Sequence, residues 1–272
     1  MFKENTVSIL GCGWFGLAWA KLLMSGGIKV KGSCTSVEKK DILQSFGIDA
    51  YNVVFSSEED GLFDSEFFDT DVLVVCIPPN RRGGKADQYP EKIASLRKEI
   101  VQKKVEKVIF ISSTGVYPDS NMEVDEDVLP HPETESGKAL LAAENIIKDS
   151  DGRKVTVVRF GGLIGPGRDA GRFFAGKKDI PNGLAPVNLI HQYDCVKIVA
   201  EILKREAYGY TFNACAEIHP AKMEFYKEQA ILSGYEVPQF VEELKQWKIV
   251  KSRFLKGVLG YSISSLYPKT ET

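Results

Sequence analysis

A glycine turn close to the N-terminus places the strongest constraint on the fold of this chain. The apolar run Val7–Leu10 leads into glycines spaced G-x-G-x-x-G, and a second apolar run follows. This order predicts a strand, a tight turn and a helix. Gly11 permits the turn, Gly13 lets the backbone approach a pyrophosphate, and Gly16 lets the helix pack closely on the strand. The helix N-terminus would offer unpaired N–H groups to phosphates, so the sequence predicts a dinucleotide site.

The residues between these glycines, Cys12, Trp14 and Phe15, are predicted to contact the same dinucleotide because they lie on the turn itself. Ile77 and Pro78 are predicted to join them. They end the apolar run Asp71–Ile77, and ligands of open α/β sheets bind at the carboxyl ends of the strands.

The end of the second strand predicts which dinucleotide is preferred. Lys29–Cys34 is expected to form this strand, and sites that prefer NAD carry an acidic residue near its end. Thr35 and Ser36 stand there instead, with Lys39 just beyond. Hydroxyls and lysines suit a 2′-phosphate better than a bare ribose diol, so we expect NADP, with NAD as the second candidate. The same residues also suit a polar loop entering a helix, Val37–Phe46, with Ser36 as its N-cap, and the two roles are compatible.

The overall composition excludes several classes of protein. Of the 272 residues 43% are hydrophobic, which suffices for one large α/β domain. Lys and Arg number 35 and Asp and Glu 37, so no basic surface for nucleic acid is indicated. We find no cleavable apolar leader and no apolar run of membrane-spanning length, and we expect a cytoplasmic protein. The five cysteines form no C-x-x-C pair and the three histidines are scattered, which favours buried thiols and no metal site.

Alternating strands and helices predict an α/β fold, a doubly wound parallel sheet of the Rossmann type. Besides Lys29–Cys34, the expected strands are Tyr51–Phe55, Asp71–Ile77, Lys107–Ile111, Val155–Phe160 and Tyr210–Asn213, and the expected helices include Asp87–Lys104 and Ala221–Ser233. Residues 1–165, completed by about 187–213, would form the dinucleotide-binding core. Residues 166–186 and 214–272 would form a small substrate-facing lobe of the same integrated domain.

Four arginines on two loops predict an anionic small-molecule substrate. Arg81 and Arg82 follow the strand that ends at Ile77, and Arg168 and Arg172 lie in the first segment of the lobe. Both loops would face the carboxyl edge of the sheet. Solvated surface charge is the alternative explanation.

Several segments together resemble the extended short-chain dehydrogenase/reductase superfamily, of the NAD-dependent epimerase/dehydratase type. They are the glycine turn, Ser112–Tyr117, Arg159–Phe160, Gly165–Gly167, Asn188–His191 with Asp194, and Leu259–Tyr261. In order and spacing they cover nearly the whole chain. The run from Gly165 to Lys177 is similar, more narrowly, to an atypical bacterial subgroup typified by YeeZ. The resemblance implies a nicotinamide cofactor and a small polar or sugar-like substrate.

The chain departs from this superfamily at its catalytic pair. Members place a Tyr, which transfers the proton, four residues before a Lys, which holds the ribose and lowers the pKa of the Tyr. Lys138 matches the lysine, but Thr134 stands in the tyrosine's place, and its hydroxyl is far too weak an acid. Ser113 falls where members hydrogen-bond a substrate oxygen, although it could merely cap the strand. Tyr117 is a candidate surrogate acid, with simple packing as the alternative.

Two classes of function therefore stay open. The first is an NADP-dependent enzyme of carbonyl reduction, epimerisation or dehydration, which the retained Lys138 and Ser113 favour. The second is a regulatory or sensor protein that binds NADP with little chemistry, which the missing tyrosine favours. The sequence leaves the oligomeric state open between monomer and homodimer.

Overall fold

The computed structural model of the chain describes residues 2–53, 64–79, 87–149 and 152–267. The described residues form eleven strands and eight α-helices. The strands are β1 Thr6–Leu10, β2 Lys29–Cys34, β3 Asp49–Asn52, β4 Val72–Val75, β5 Lys107–Ser113, β6 Met122–Val124, β7 Lys154–Phe160, β8 Gly162–Ile164, β9 Leu189–His191, β10 Thr211–Ala214 and β11 Lys248–Val250. The helices are α1 Trp14–Ser25, α2 Val37–Ser45, α3 Tyr89–Gln102, α4 Glu135–Lys148, α5 Ala170–Phe173, α6 Gln192–Lys204, α7 Lys222–Leu232 and α8 Phe254–Leu259.

Seven parallel strands form the main sheet, in the order β10-β7-β5-β4-β1-β2-β3. Val7 of β1 pairs with Val30 of β2 on one side and with Val72 of β4 on the other. The chain moves outward from β1 to β3 and then returns to β4, so the winding reverses between β1 and β4. Ligands of open α/β sheets bind at such a switch point. The predicted α/β doubly wound fold is confirmed.

Helices cover both faces of this sheet and bury two separate apolar cores. On one face Trp19 of α1, Ile198 of α6 and Leu255 of α8 belong to a single buried cluster. On the other face Ile93 of α3 and Leu140 of α4 pack in a second cluster. The central strand β4 is apolar on both sides, with Val72 and Val74 in the first cluster and Leu73 and Val75 in the second, as expected of a strand covered by helices on both faces. The sheet is therefore a rigid support for the loops at its carboxyl edge.

The predicted ends of helices and strands agree best with the structure where neighbouring residues in the sequence determine them. β2 has the predicted bounds, and α2 begins after Ser36, whose hydroxyl accepts a hydrogen bond from the backbone N–H of Lys39. The third strand begins at Asp49, two residues before the predicted start at Tyr51. The rest of that predicted strand, 54–55, lies outside the described residues.

The second half of the chain adds two small parallel sheets. β6 pairs with β11 and β8 with β9. β6 is absent from the strands that the sequence predicts, because its partner strand is more than a hundred residues away. α5 packs on α7, where the backbones approach so closely that a Cβ on Gly171 would lie 2.4 Å from the Gln229 carbonyl oxygen.

The C-terminal helix α8 belongs to the segment that was predicted to form the lobe. It contacts β10 and α6 of the main core, because Leu255 and Leu259, four residues apart, present one buried face. The boundaries of the lobe otherwise stay a prediction. Within the described ranges, every helix is too short or too polar to cross a membrane.

Candidate functional site

The glycine turn lies at the reversal of winding, between β1 and α1. Gly11 has a φ of +99°, which residues with a Cβ rarely adopt. A Cβ there would lie 3.0 Å from Ile77 Cγ2 and 3.2 Å from the Ile77 nitrogen. The Gly11 N–H donates to Ser33 Oγ at 2.7 Å. The turn is thus held between β4 on one side and β2 on the other.

The other two glycines of the turn lie in opposite surroundings: Gly16 is tightly packed, and Gly13 faces open space. A Cβ on Gly16 would lie 2.5 Å from the Gly11 carbonyl oxygen and 3.1 Å from Ile9 Cγ2, so this position permits the close approach of helix and strand. A Cβ on Gly13 would meet no atom within 4 Å. Gly13 is the N-cap residue of the twelve-residue helix α1 and has no side chain to cap it. Open space and a helix N-terminus, where an anion is stabilised, coincide at this residue.

A first cleft of about 510 Å³ opens on one side of the turn. It is lined by Leu10, Gly11, Cys12, Gly13, Leu17, Ser33, Cys34, Thr35, Lys39, Ile42, Leu43, Val53, Cys76, Ile77, Pro78, Tyr89 and Lys92. These described lining residues include two lysines and no carboxylate. Thr35 and Lys39 are where the sequence predicted them to be, whereas Ser36 caps α2 and does not line the cleft. The first cleft therefore presents positive charge at the end of β2.

Ser33 and Lys92 are among the lining residues of the first cleft that the sequence analysis missed. Ser33 belongs to a strand interior, where its hydroxyl gave no signal. Lys92 lies on α3, one residue before the buried Ile93, at the border of that helix's apolar face. The helical pattern of the sequence shows that Lys92 flanks the buried face of α3. Which cleft its side chain lines depends on the tertiary packing, which the sequence does not show.

A second cleft of about 780 Å³ opens on the other side of the turn. It is lined by Gly11, Gly13, Trp14, Phe15, Gly16, Cys76, Pro78, Pro79, Ile111, Ser112, Ser113, Leu140, Phe160, Gly161, Gly162, Leu163 and Arg168. Four residues line both clefts: Gly11, Gly13, Cys76 and Pro78. The clefts therefore meet at the turn and form one groove across the carboxyl edge of the sheet.

Trp14 ties the second half of the chain to the start of α1. Its indole N–H donates to the Pro166 carbonyl at 2.6 Å, and the Gln192 side-chain amide donates to the Trp14 carbonyl at 2.8 Å. The guanidinium of Arg168 lies 4.6 Å from the centre of the indole ring, within the range of a cation–π contact. Arg168 is therefore held at the mouth of the second cleft.

The remaining predicted residues of the glycine turn take different positions. Phe15 is buried and packs edge-on against Phe160 at 5.2 Å between ring centroids. The Cys12 thiol contacts the Ile9 carbonyl, and burial raises its pKa to about 12. Burial also raises the pKa of the Cys76 thiol. These thiols are thus protonated at neutral pH and serve as apolar walls of the groove.

Ser113 ends β5 in the second cleft, as the sequence predicted. Its hydroxyl accepts a hydrogen bond from the Gly115 N–H at 3.1 Å, which leaves the hydroxyl proton available to a bound molecule. The adjacent Ser112 also lines the cleft, but its hydroxyl donates to Glu144 Oε1 at 2.6 Å. Ser113 is therefore the residue with a donor to offer.

A buried polar network lies behind the second cleft, and Tyr117 belongs to it. Glu144 and Arg159 form an ion pair, joined by Nε–Oε1 and Nη2–Oε2 hydrogen bonds of 3.0 and 2.6 Å. Arg159 Nη1 donates to the Tyr117 hydroxyl at 2.6 Å, and that hydroxyl donates to Asn213 Oδ1 at 3.1 Å. Tyr117 is 2% exposed, and burial raises the pKa of its phenol. The phenol does not line either cleft.

The pair that replaces the superfamily's tyrosine and lysine lies at the start of α4. Thr134 is the N-cap of this helix, and its hydroxyl accepts from the Gly137 N–H at 3.1 Å. Lys138 Nζ donates to Glu135 Oε1 at 2.8 Å on the protein surface, and the lysine side chain is 57% exposed. Neither residue lines the clefts. Their predicted catalytic and cofactor-binding roles stay predictions.

Of the predicted substrate arginines that the structure describes, Arg168 lines the second cleft. Arg172 is exposed on α5 and does not line either cleft. Arg81 and Arg82 lie outside the described residues. The described part of the chain also contains no group of three or more His, Cys, Asp or Glu side chains arranged to hold a metal ion.

The chain is similar in sequence to a bacterial protein and in structure to several solved proteins. No family model matches the chain. Protein YeeZ of Escherichia coli strain K12 is 35% identical over 261 residues, which cover 94% of each chain. UDP-glucuronic acid 4-epimerase from Bacillus cereus in complex with NAD superposes with a TM-score of 0.79 at 17% identity, over 96% of this chain and 94% of that one. A short-chain dehydrogenase/reductase superfamily protein from Agrobacterium tumefaciens with bound NAD gives 0.75 at 17% identity, over 96% and 93%. At these identities the structural likeness establishes the fold.

Proposed function

Because the chain belongs to the YeeZ family and has the fold of the short-chain dehydrogenases/reductases, we propose that it is an NADP-binding protein of the oxidoreductase, epimerase or dehydratase type. Its substrate is a small, polar, anionic molecule. The observation that carries this proposal is the open space at Gly13, in a groove that crosses the switch point of the sheet. A dinucleotide fits there, with its pyrophosphate at the N-terminus of α1, its adenosine half in the first cleft and its nicotinamide half in the second.

The preference for NADP rests on the charge of the first cleft. Thr35 and Lys39 line it at the end of β2, and its described lining has no carboxylate to bind a ribose diol. A hydrogen bond to a charged group contributes about 1.5–3 kcal/mol, which corresponds to about tenfold or more in affinity. NAD, which both structural relatives named above carry, is the competing ligand.

The substrate class follows from the second cleft. Its described walls are mostly apolar, and they carry the Ser113 hydroxyl and the Arg168 guanidinium as free polar groups. An anionic group of the substrate would pair with Arg168, and a carbonyl or hydroxyl oxygen would accept from Ser113. The 4-epimerase of B. cereus is named for an anionic sugar nucleotide, UDP-glucuronic acid, which is consistent with this class.

The reaction is limited by the lack, in the described lining of the second cleft, of a side chain that can donate the proton which accompanies hydride transfer. When bound, the nicotinamide supplies or accepts a hydride. The described lining of the second cleft contains no Tyr, His, Lys, Asp or Glu, so the proton would come from the substrate or from water held by Ser113. Loss of a positioned general acid costs about 10²–10⁴-fold in rate. We therefore expect slow reduction of ordinary aldehydes, ketones and keto-sugars.

The same observation favours a second candidate, a regulatory protein that senses NADP. In that function the groove binds the dinucleotide, and occupancy itself is the signal. Lys138 and Thr134 would then only stabilise the start of α4, which is consistent with their hydrogen bonds to Glu135 and Gly137.

Stopped-flow oxidation of bound NADPH against a panel of carbonyl compounds decides between the two candidates. An enzyme turns over at least one anionic substrate, and Ser113→Ala slows it while NADPH affinity is retained. A sensor binds NADPH and oxidises it with none. Fast turnover that Tyr117→Phe abolishes, in protein that melts normally, would identify the phenol as the acid. A wild-type protein that binds neither NADPH nor NADH would disprove both functions.

A further inference from the structure

The first cleft contains a cation that the glycine turn and the end of β2 do not account for. Lys92, on α3, lines the cleft together with Lys39, on α2. The two lysines come from different helices that follow different strands, β4 and β2. The structure gives neither of them an ion-pair partner among the described residues, whereas many other lysines pair with a carboxylate.

The positions of both lysines are fixed by the fold. Tyr89, at the start of α3, is buried and donates its hydroxyl to the Ile77 carbonyl at 2.8 Å, so the first turn of this helix is attached to the end of β4. Lys92 is one turn further along and borders the buried Ile93. Lys39 is held by the N-cap of α2, since its backbone N–H donates to Ser36. The backbone positions of both lysines are thus fixed, and their flexible side chains allow the ammonium groups to reach the cleft.

The described lining of the first cleft holds two ammonium groups and no carboxylate, and this arrangement favours a bound anion. Like charges that share a site repel each other, and a bound dianion removes this repulsion. A phosphate monoester carries about −1.5 to −2 charge at pH 7, so it matches two lysines, while a single lysine would neutralise only part of it. The ribose hydroxyls of NAD carry no charge and would leave both cations unmatched.

We propose that Lys92 on α3 and Lys39 on α2 together bind the 2′-phosphate of NADP in the first cleft. This inference rests on the proposed dinucleotide function and adds a specificity-determining residue to it. Because Lys92 faces the phosphate from α3, its loss weakens NADPH binding and leaves NADH binding unchanged.

Affinity measurements on lysine variants test this assignment. Dissociation constants for NADPH and NADH are measured by calorimetry for wild type, Lys92→Gln, Lys39→Gln and the double variant. The matched controls are Lys98→Gln on α3 and Lys40→Gln on α2, which do not line the cleft. Each cleft variant should lose about tenfold in NADPH affinity, the double variant should lose the preference for NADPH, and the controls should bind like wild type.

The fragments 2′,5′-ADP and 5′-AMP isolate the phosphate from the rest of the dinucleotide. Lys92→Gln should weaken 2′,5′-ADP and leave 5′-AMP unchanged. The preference of the wild type for 2′,5′-ADP should also fall between pH 7 and pH 5, because the phosphate loses its second charge near pH 6.

Three results would overturn the inference, and they separate it from the proposed function. If Lys92→Gln changes NADPH and NADH affinity equally, Lys92 contacts another part of the dinucleotide. If it changes neither, Lys92 is a solvated surface lysine. If wild type binds NADPH no more tightly than NADH, the 2′-phosphate site is wrong while dinucleotide binding stands. A wild type that binds neither dinucleotide fails the proposed function itself.

Discussion

The two clefts differ in how much of a working site they contain. The first cleft has a turn built by glycines, a helix N-terminus at its floor and two lysines on its walls. The second cleft has the same floor, but its described side chains offer a hydroxyl and a guanidinium and no group suited to proton transfer. Under the proposed function, the described residues therefore supply what dinucleotide binding requires, but the second cleft lacks a side chain for proton transfer. Binding depends on backbone geometry, whereas proton transfer depends on single side chains, so the two properties can diverge within one fold.

The buried polar residues behind the second cleft hydrogen-bond to one another, so they contribute to stability and offer no group to a ligand in the cleft. Glu144 and Arg159 are 1% and 5% exposed in their side chains. Glu144→Gln should lower the free energy of unfolding by about 3–5 kcal/mol, since it leaves the Arg159 charge buried without its partner. Urea denaturation measures this loss.

A matched control and a rescue complete this experiment. Glu135→Gln, on the exposed side of the same helix, should change the free energy of unfolding by less than about 0.5 kcal/mol. Replacing both partners, as in Glu144→Gln with Arg159→Met, should be less damaging than the sum of the single changes. A loss below about 1 kcal/mol for Glu144→Gln would mean that this network does not support the second cleft.

Sequence reasoning succeeded where the physical signal is local. The bounds of β2, the cap at Ser36 and the distinct requirements of the glycines follow from neighbouring residues, and the structure agrees. Ser113 and Arg168 were placed at the correct edge of the sheet, because the carboxyl ends of parallel strands share that edge. Their chemical roles stay predictions.

Sequence reasoning failed where contacts join distant parts of the chain. β6 is three residues long, and its partner β11 begins at Lys248, so no local pattern marks it. From the sequence, Tyr117 was a candidate surrogate acid with simple packing as the alternative. Only the approach of Arg159 and Asn213 shows that its hydroxyl is engaged inside the protein. Lys92 lines the first cleft together with residues at the end of β2, which the pattern of its own helix does not reveal.

The floor shared by the two clefts can be tested by two glycine variants with different outcomes. Gly13→Val should weaken NADPH binding by about a hundredfold, because the valine fills the space of the pyrophosphate and removes its charged hydrogen bonds. Its stability should fall by only about 1 kcal/mol, the difference between glycine and valine at an N-cap. Gly13 has extended backbone angles that valine can adopt.

Gly16→Val is the matched variant. Its Cβ would collide with the Gly11 carbonyl at 2.5 Å, so it should destabilise the fold by about 1–3 kcal/mol or more. Calorimetric titration with NADPH and thermal melting separate the two effects. If Gly13→Val binds NADPH like wild type, the dinucleotide does not cross the groove at this turn.

The smallest expected effect belongs to Lys138, the residue that best matches the superfamily's catalytic pair. Its ammonium pairs with Glu135 three residues earlier, at the surface, and such pairs contribute at most about 0.5 kcal/mol. Lys138→Ala should therefore change the free energy of unfolding by no more than that, and NADPH affinity by less than about twofold. Thr134→Ala should be more costly, by about 1 kcal/mol, because it removes the N-cap of α4. Denaturation and calorimetry on the two variants check both values. A tenfold loss of affinity for NADPH and NADH alike in Lys138→Ala would show that the lysine leaves Glu135 and holds the ribose when the dinucleotide is bound. In that case the site retains the lysine of the superfamily's catalytic pair, and the missing tyrosine is the one catalytic group that distinguishes it from the superfamily's pattern.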